Sequence, residues 1–296
     1  MKRIGLITSK KWFRRVRGDL AVQEALRCIG FDAQILPWEE DIPWETFDLL
    51  ILRSPWDYYA NSEQFCLWLD SLEQRGVQLA NGVQTIRSNI DKEQQLKLLH
   101  AGSVPVLPSK GCHTEREVRQ ACLILGPEIV LKPSVSAGGH NTFLFNKRQE
   151  ESDEKLRKIT KKILSEAPAV LVQPFVESIY KGECAVVFFK GEFSHAVLRF
   201  PGVLGEKKPP VPVTKMPNDW KTAAQAVCNH LGGDELLYCR IDLVEYQGKP
   251  YLMEVELAEP DLYLGLEYGN HANPLANFVR AIVMETERKR PTEEER

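Results

Sequence analysis

One arginine and three carboxylates interrupt two otherwise apolar stretches late in the sequence. Arg240 and Asp242 lie in the first stretch, and Glu254 and Glu256 lie in the second, on either side of the turn pair Gln247-Gly248. Because side chains alternate across a strand, such a hairpin can direct all four charges at one place. Clustered carboxylates need a compensating positive charge, and hard divalent cations such as Mg²⁺ prefer oxygen ligands. The pattern therefore predicts a divalent-metal site.

The same alternation predicts which apolar residues share a face with the charges. Leu252 is expected on the face of Glu254 and Glu256, with Met253 and Val255 on the opposite face. An alternative is a hairpin whose charges are scattered over a solvated face, since antiparallel sheets often leave one face wet. The hairpin alone does not decide between the two readings.

A glycine-rich stretch with a lysine at its entrance is the second candidate for chemistry. The predicted strand Glu128–Leu131 delivers Lys132 into Ser134–Thr142, and Thr142–Phe145 returns as a strand. Small residues allow positive φ and a close approach of the backbone to phosphate oxygens, while lysine supplies a point charge. The stretch matches neither GxxxxGK[ST] nor GxGxxG, and a glycine pair alone is most often a turn. As the tip of a hairpin, however, it can act as a lid.

Strands and helices alternate at the start of the chain. Arg3–Thr8, Asp32–Leu36 and Leu49–Leu52 are predicted strands, and Asp19 is expected to cap the helix that runs to Ile29. This strand–helix–strand order predicts a small Rossmann-like parallel layer.

Two charged residues follow the third predicted strand of that layer. Arg53 and Asp57 lie where ligands bind in open α/β sheets, so both are candidate substrate contacts. A structural turn with packed aromatic residues is an equal alternative. Further along, Arg199 ends a predicted strand and is a candidate for binding a substrate carboxylate, although a surface arginine would also fit. His195 in that strand is more typical of a packed histidine than of a catalytic one.

The other elements follow from periodicity, caps and turn residues. The capping box Thr114-x-x-Glu117 opens a helix to Leu125, and Asn273-Pro274 opens a final helix through Val283. The remaining predictions are a helix from Asn61 or Ser62 to Gly76, a strand Gln78–Ala80, a connection Asn81–Asn89, a helix Asp91–Ala101, an extended segment Val104–Pro108, a helix Asp153–Ser165, a strand Val170–Gln173, a hairpin Glu183–Phe189 and Phe193–Phe200 about Lys190-Gly191, a long loop Phe200–Asn218 and a helix Asp219–Leu231.

Composition excludes several classes of function. A net charge of −3 over 296 residues argues against nucleic-acid binding. The seven cysteines form no CxxC pair and are typical of reduced core residues in a cytoplasmic protein. No stretch approaches the length of a transmembrane helix, so no membrane role is expected. The residues after Glu285 are almost all charged and are expected to fray.

The order of these pieces resembles the ATP-grasp superfamily over roughly residues 81 to 285. A lysine near a helix start is followed by Lys132-Pro133 with its glycine-rich hairpin, then Gln173-Pro174-Phe175, then Arg240-x-Asp242 and Glu254-x-Glu256. Ser54-Pro-Trp-Asp-Tyr, Gly191-Glu-Phe-Ser-His-Ala-Val and Glu254-Val-Glu-Leu-Ala-Glu-Pro further resemble the branch that contains the D-cycloserine-forming cyclo-ligase.

The resemblance implies a role for each matching residue. Arg240 would steady charge in the transition state together with Lys132, and Asp242, Glu254 and Glu256 would hold metal. The last of these positions is often Asn in the superfamily, which leaves the role of Glu256 open. The residues that would bind ATP are Lys92 and Lys132 at the phosphates, Ser136, Gly138 and Gly139 in the lid, Gln173, Phe175 and Val176 at adenine, and Glu183 at the ribose.

The expected fold class is α/β, with α+β character in the grasp part. The expected domains are a Rossmann-like domain (1–80), a linker and helix (81–103), a small ATP-grasp lobe with the lid (104–176), a large lobe with the metal-binding hairpin (177–285) and a charged tail (286–296).

The resemblance implies an ATP-dependent ligase acting on small amino-acid-like or peptide substrates, with ATP and Mg²⁺ or Mn²⁺. It also allows a homo-oligomer. The alternatives are phosphate transfer without ligation and a non-catalytic ATP sensor.

Overall fold

The computed structural model describes residues 1–99, 105–149, 152–200, 202, 208–269 and 272–288, apart from the side chain of Leu98. These residues form three sheets. The predicted start of the extended segment at Val104, the end of the helix at Ala101, much of the loop Phe200–Asn218 and the tail from 289 onward lie outside them. Each sheet lies within a different one of the predicted domains, although the boundaries themselves remain a prediction.

The first sheet is parallel and confirms the α/β start of the chain. Its strands stand in the order β2-β1-β3, and the nearly continuous apolar runs of β1 and β3 are buried. A single bridge joins Leu79 to Leu50, so the predicted strand Gln78–Ala80 is reduced to one pairing. The elements are β1 (Arg3–Thr8), α1 (Arg17–Cys28), β2 (Asp32–Pro37), β3 (Leu49–Ser54) and α2 (Ser62–Gln74).

The predicted connection Asn81–Asn89 is wrong, because most of it is helical. Helix α3 spans Val83–Ile90, and α4 follows at Lys92–Leu99. Val83, Ile86 and Ile90 are buried in the core beside α2. Their spacing of three and four residues is that of one helix face, so the apolar period was present in the sequence. The turn residues Asn81 and Gly82, both at positive φ, precede this helix rather than continue as a loop.

The second sheet is antiparallel and carries the glycine-rich loop at the tip of one hairpin. Its order is β4-β7-β5-β6, and α5 and α6 cover one face with an apolar cluster that includes Val118, Leu156 and Ile163. The predicted capping box at Thr114 is confirmed, since its side chain accepts from the Glu117 amide. The elements are β4 (Lys110–Cys112), α5 (Glu115–Leu125), β5 (Glu128–Pro133), β6 (Phe143–Asn146), α6 (Ser152–Leu164) and β7 (Val170–Pro174).

The third sheet is antiparallel and holds the charged hairpin at its edge. Its order is β10-β9-β8-β11-β12. One face packs on α7, and the other shares a core with β1, α1 and α8, so the first domain and the large lobe are joined by common apolar residues. The elements are β8 (Glu183–Phe189), β9 (Glu192–Arg199), β10 (Val211–Pro212), α7 (Asn218–His230), β11 (Tyr238–Tyr246), β12 (Lys249–Glu256) and α8 (Pro274–Glu287).

Several local predictions are confirmed by the caps and turns. Lys190-Gly191 and Gln247-Gly248 all have positive φ, as tight hairpin turns require. The Asn273 side chain accepts from the Ala276 amide, with Pro274 at the first helical position. All seven cysteines are free. Among the described residues, no helix is both long enough and apolar enough to span a membrane.

Candidate active site

The hairpin of β11 and β12 brings the predicted charges together. Asp242 pairs with Glu254 and Arg240 pairs with Glu256 across the two strands. Asp242, Glu254 and Glu256 can each place a carboxylate oxygen within 4.8 Å of the others. This group is the arrangement that the alternation of β11 and β12 predicts. Glu254 and Glu256 line a cleft, and Asp242 is fully buried and absent from its lining, so the group does not lie on a solvated face.

A bulge in β12 overturns the predicted assignment of its faces. The register shifts between Asp242 and Leu243, so Leu243 pairs with Leu252 while Asp242 pairs with Glu254. The extra residue, Met253, breaks the alternation. Leu252 consequently packs in the same core as Val255, and the prediction that it shares a face with Glu254 is wrong. Bulges of this kind redirect side chains next to functional sites.

Arg240 is the centre of a buried charge network. Its Nε and Nη2 donate to the two oxygens of Asp242 at 2.9 Å, and Nη2 also contacts Glu256. Nη1 donates to the carbonyl of Asp261 at 3.2 Å. Arg240 is 2% exposed and Asp242 is fully buried. The bidentate pair fixes the guanidinium in the plane of the carboxylate, as required of a preorganised charge.

Glu256, which departs from the superfamily pattern, is held by this arginine. Burial raises the pKa of Glu256, and Arg240 opposes the rise only in part. Glu254 behaves differently. Burial alone would raise its pKa, but Lys92, Lys132 and Arg240 outweigh burial and lower it to about 2. Glu254 is therefore ionised at neutral pH.

Lys92 ties the hairpin to the glycine-rich loop. Its Nζ lies 3.1 Å from Glu254 Oε1 and donates to the carbonyl of Ser136 at 2.6 Å, while its amide donates to Ser134. Burial alone would lower the pKa of Lys92, but Glu254 and Glu256 raise it above its ordinary value. The lysine thus stays charged beside the loop that is predicted to cover phosphate.

Lys132 is the second lysine of the cleft, and Glu254 compensates its charge only from beyond ion-pair distance. Among the described residues, no carboxylate oxygen lies within ion-pair distance of its Nζ. Burial lowers the pKa of Lys132, and Glu254 opposes this only in part. A cation of this kind gains from the arrival of an anionic ligand.

The glycine-rich loop between β5 and β6 lies against the first domain. Gly138 and Gly139 have φ of 61° and 76°, which glycine adopts without strain. His140 stacks on Tyr59 with ring centroids 4.6 Å apart. Ser136 also lines the cleft, so the loop presents its small residues and backbone to the same space as Lys92.

A cleft of about 800 Å³ joins these groups. Gln173, Phe175 and Val176 line one part of it, at the end of β7, and Gln173 Nε2 donates to Ser109 Oγ at 2.7 Å. Glu183, at the start of β8, is 1% exposed and pairs with Arg199. The structure thus brings to one cleft every predicted ATP-binding residue, Lys92, Lys132, Ser136, Gly138, Gly139, Gln173, Phe175, Val176 and Glu183.

Two of the three predicted substrate contacts do not line this cleft. Arg53 is 2% exposed, with Nε 3.1 Å from Asp19 and its guanidinium 5.1 Å from the centre of the Phe278 ring. Asp19 accepts from Arg53 and Ser54, so the prediction that it caps α1 is also wrong. The buried carboxylate of Asp19 pairs with Arg53, so this arginine binds within the protein and not to a ligand.

Asp57 accepts from Ser9 Oγ and is likewise absent from the lining of the cleft. Its neighbours Trp56, Tyr58 and Tyr59 line it instead. The third candidate, Arg199, does line the cleft, and its Nη2 lies 3.4 Å from Asp242.

His195 is packed, as the sequence analysis favours. Its Nε2 donates to the carbonyl of Leu262 at 2.8 Å, which leaves Nδ1 to accept from Ser194. Burial lowers the pKa of His195 to about 4, and the bond to Leu262 offsets this only in part. The neutral ring therefore holds the segment after β12 against β9.

Glu259 is a cleft residue that the sequence reasoning missed. It follows β12, lines the cleft and is 9% exposed. Burial raises its pKa to about 8, with a further contribution from Glu256. The signal was a third carboxylate in the run Glu254-Val-Glu-Leu-Ala-Glu, but strand alternation does not extend to it because β12 ends at Glu256.

The donor set fits a hard divalent cation. Asp242, Glu254 and Glu256 supply carboxylate oxygens only, and no histidine or cysteine belongs to this group among the described residues. Arg240 and Lys92 already partner these oxygens, so a metal here would share the carboxylates with them.

Two parts of the sequence are similar to known proteins. The family model of the D-cycloserine synthetase DcsG N-terminal domain matches residues 4–81. A stretch of 128 residues is 27% identical to the arginine-specific large chain of carbamoyl phosphate synthase from Halalkalibacterium halodurans, covering 42% of this chain but only 12% of that relative.

Solved structures match the whole chain. D-cycloserine synthetase DcsG superposes with a TM-score of 0.81 at 24% identity, over 96% of this chain and 99% of that one. D-alanine–D-alanine ligase from Bacillus anthracis, complexed with ATP, gives 0.67 at 14% identity over 98% and 100%. The ATP-grasp ligase PsnB, complexed with a minimal precursor, Mg and ADP, gives 0.62 at 18% identity over 96% and 98%. The chain therefore has the fold of these ATP-grasp ligases, as the resemblance predicts, and residues 4–81 are similar to the N-terminal domain of D-cycloserine synthetase.

Proposed function

We propose that the chain is an ATP-dependent ligase that joins a carboxylate to an amine or related nitrogen nucleophile. The reaction would pass through an acyl phosphate and release ADP and phosphate, on a small amino-acid-like or peptide substrate. One observation carries the proposal: Lys92, Lys132 and Arg240 line one cleft together with Glu254 and Glu256, and Arg240 also binds Asp242. Several solved structures with the same fold are ligases, which supports the proposal.

The chemistry explains why such a cleft is needed. A carboxylate is a poor acyl donor because its leaving group is oxide, and phosphorylation replaces that group with phosphate. A protein assists by aligning the reactants and by stabilising the charge that spreads over the transferring group. Lys92 and Lys132 would bind phosphate oxygens, and Arg240 would stabilise the developing charge.

We propose Asp242, Glu254 and Glu256 as ligands for Mg²⁺, with Mn²⁺ as an alternative. Bound there, the metal would neutralise phosphate charge and orient the transferring group. Arg240 holds Asp242 and Glu256 in fixed positions, and Lys92 does the same for Glu254. A cation bound there would share the carboxylate oxygens with Arg240 and Lys92.

The remaining cleft residues divide between nucleotide and substrate. Gln173, Phe175 and Val176 would contact adenine and Glu183 the ribose, while Ser136, Gly138 and Gly139 would cover the phosphates. Closing this lid would exclude water, which otherwise hydrolyses an acyl phosphate. Arg199 lines the cleft beside Asp242, which makes it a candidate for a substrate carboxylate. A homo-oligomer and a cytoplasmic location also remain proposals.

Nucleotide-product analysis tests this function. The purified protein is incubated with ATP, Mg²⁺ and a panel of amino acids, and the nucleotide and organic products are separated by mass. We expect ADP, phosphate and a new carbon–nitrogen bond. Ligation accompanied by AMP and pyrophosphate would refute the acyl-phosphate route. A stable phosphorylated product would favour phosphate transfer, and nucleotide binding without turnover would favour a sensor.

A further inference from the structure

The side chain of Glu259 is mostly buried and lines the cleft without a partner among the described residues. Glu259 is 9% exposed and lines the cleft, yet among the described residues no hydrogen bond or ion pair reaches its carboxylate oxygens. Carboxylates this buried are normally paired, because losing water without a compensating contact is costly. The structure therefore presents to the cleft a carboxyl group that no described residue pairs with. Because its pKa is raised to about 8, an ammonium group that pairs with it would bind the ionised form and displace the carboxyl proton.

The backbone around Glu259 is fixed, so its position is built into the fold. Its carbonyl accepts from Trp56 Nε1 at 2.9 Å. The preceding residue, Ala258, accepts from the Tyr238 hydroxyl and donates to Asn89 Oδ1. Contacts from three separate elements thus hold this short segment. The unpaired carboxylate is not the result of a loosely placed loop.

The two cations that most favour the charged form of Glu259 already bind other groups. Lys92 and Arg240 both favour its charged form. Lys92, however, binds Glu254 and the Ser136 carbonyl, and Arg240 binds Asp242, Glu256 and the Asp261 carbonyl. Neither can turn to Glu259 without breaking its own contacts. The space beside Glu259 is consequently open to a separate cation.

The wall next to Glu259 is aromatic, which also favours a cation. Trp12, Trp56, Tyr58 and Tyr59 of the first domain line the cleft, and the rings of Trp12 and Trp56 meet edge to face at 5.1 Å. Aromatic faces attract organic cations, and a low-dielectric wall strengthens the attraction to a carboxylate. Hydrated metal ions gain less from such a surface than ammonium groups do.

The proposed metal site does not extend to this carboxylate. The cluster of closely spaced ligand oxygens contains Asp242, Glu254 and Glu256 but not Glu259. A single carboxylate beside aromatic rings lacks the six or more oxygen ligands that hard divalent cations require. An ammonium group needs only one such acceptor and gains from the rings.

We propose that Glu259 and the aromatic wall of Trp56 and Tyr58 form a subsite for the ammonium group of the substrate. This inference rests on the proposed function and adds to it a specificity-determining residue: the ligase would select a substrate that carries a free amine close to the reacting carboxylate. Neutral analogues of the same shape would leave the carboxylate buried and unpaired, so they would bind more weakly.

Matched ligand pairs test the subsite without requiring turnover. Calorimetry in the presence of Mg²⁺ and a non-hydrolysable ATP analogue compares D- and L-alanine with D- and L-lactate, D- and L-serine with D- and L-glycerate, and β-alanine with propanoate. We expect at least one amine to bind the wild type more tightly than its amine-free partner. Glu259→Gln should weaken that amine by about 10- to 100-fold, since a charge-assisted hydrogen bond is lost.

Two controls separate this outcome from other failures. Glu267→Gln removes an exposed carboxylate eight positions away and should leave every affinity unchanged. Affinity for the ATP analogue should be equal in wild type and Glu259→Gln, which shows that the variant is folded. The inference is overturned if no amine is preferred over its partner, or if Glu259→Gln binds the amines as well as wild type does. If calorimetry shows this selectivity while the separate product analysis with ATP yields no ADP, the proposed function is rejected and the subsite stands.

Discussion

The two cleft lysines should respond in opposite ways when each is replaced by methionine. Lys92 is paired with Glu254 at 3.1 Å and with the Ser136 carbonyl, whereas Lys132 has no ion-pair partner among the described residues. Lys92→Met removes a mostly buried ion pair and leaves Glu254 with only the more distant charges of Lys132 and Arg240. Its cost lies between those of exposed and fully buried pairs, about 2 kcal/mol in the free energy of unfolding.

Lys132→Met should have the reverse effect on stability without nucleotide. Burial lowers the pKa of Lys132, which shows that the fold disfavours its charge. Replacing the charge with an apolar group of similar length should raise the free energy of unfolding by about 1 kcal/mol. Both variants should nevertheless lose ATP affinity, by about 10- to 100-fold, because each removes a charged phosphate donor.

Urea unfolding without nucleotide and calorimetry with ATP and Mg²⁺ measure the two effects separately. Lys155→Met, on an exposed position of α6, serves as the control and should change neither. If Lys132→Met destabilises the protein as much as Lys92→Met does, the attraction between Lys132 and Glu254 outweighs the cost of burying the lysine, and the reasoning is refuted. Unchanged ATP affinity in both variants would refute their placement at the phosphates.

Three further outcomes follow from the same contacts. Arg53→Met should lower the free energy of unfolding by about 3–5 kcal/mol, because it leaves Asp19 buried and unpaired, while ATP affinity measured by calorimetry stays within a factor of about two. His195 has a pKa of about 4 in the folded protein, below its ordinary value of 6.5, so its contribution to stability is full above pH 6.5 and is lost as the pH falls through 4. The urea stability of wild type should therefore drop by about 3 kcal/mol more than that of His195→Gln over this range, and equal slopes would contradict the assignment. Asp242→Asn and Glu254→Gln should each reduce Mg²⁺-dependent ATP consumption by about 100-fold or more while keeping the wild-type circular dichroism spectrum, and wild-type consumption in either variant would rule out the metal site.

Local sequence signals predict most of the helices, strands and turns of the fold. Gln247-Gly248 predicts its turn because glycine and a following strand leave few other conformations, and the capping box at Thr114 marks its helix start in the same way. The sequence does not predict the helix Val83–Ile90, because Asn81-Gly82 is typical of the beginning of a loop. The turn residues outweighed an apolar period that was visible in the sequence.

Errors at the site arose from partners that are distant in sequence. Arg53 lies at the carboxyl end of a parallel strand, the expected place for a ligand contact, but Asp19 on α1 captures it. Residue spacing gives no sign of such a pair, since 34 positions separate the two. The bulge at Met253 is similar: only the pairing with β11 reveals the extra residue, and it decides which side chains of β12 enter the core.

The outer edge of β12, the last strand of its sheet, is closed by other parts of the chain. Leu252 exchanges backbone hydrogen bonds with Pro105 and Leu107. Beyond the bulge, side-chain amides take over, with Gln95 bound to both backbone groups of Val255. Asn89 and Asn81 satisfy the amide and the carbonyl of Leu257.

An exposed strand edge can pair with another chain. Here the edge groups of β12 from Leu252 onward are already hydrogen-bonded within the protein. If copies of this protein associate, they must therefore do so through a surface other than the edge of β12. The strand that carries Glu254 and Glu256 is thereby kept from joining a sheet between molecules, which would distort the carboxylate cluster.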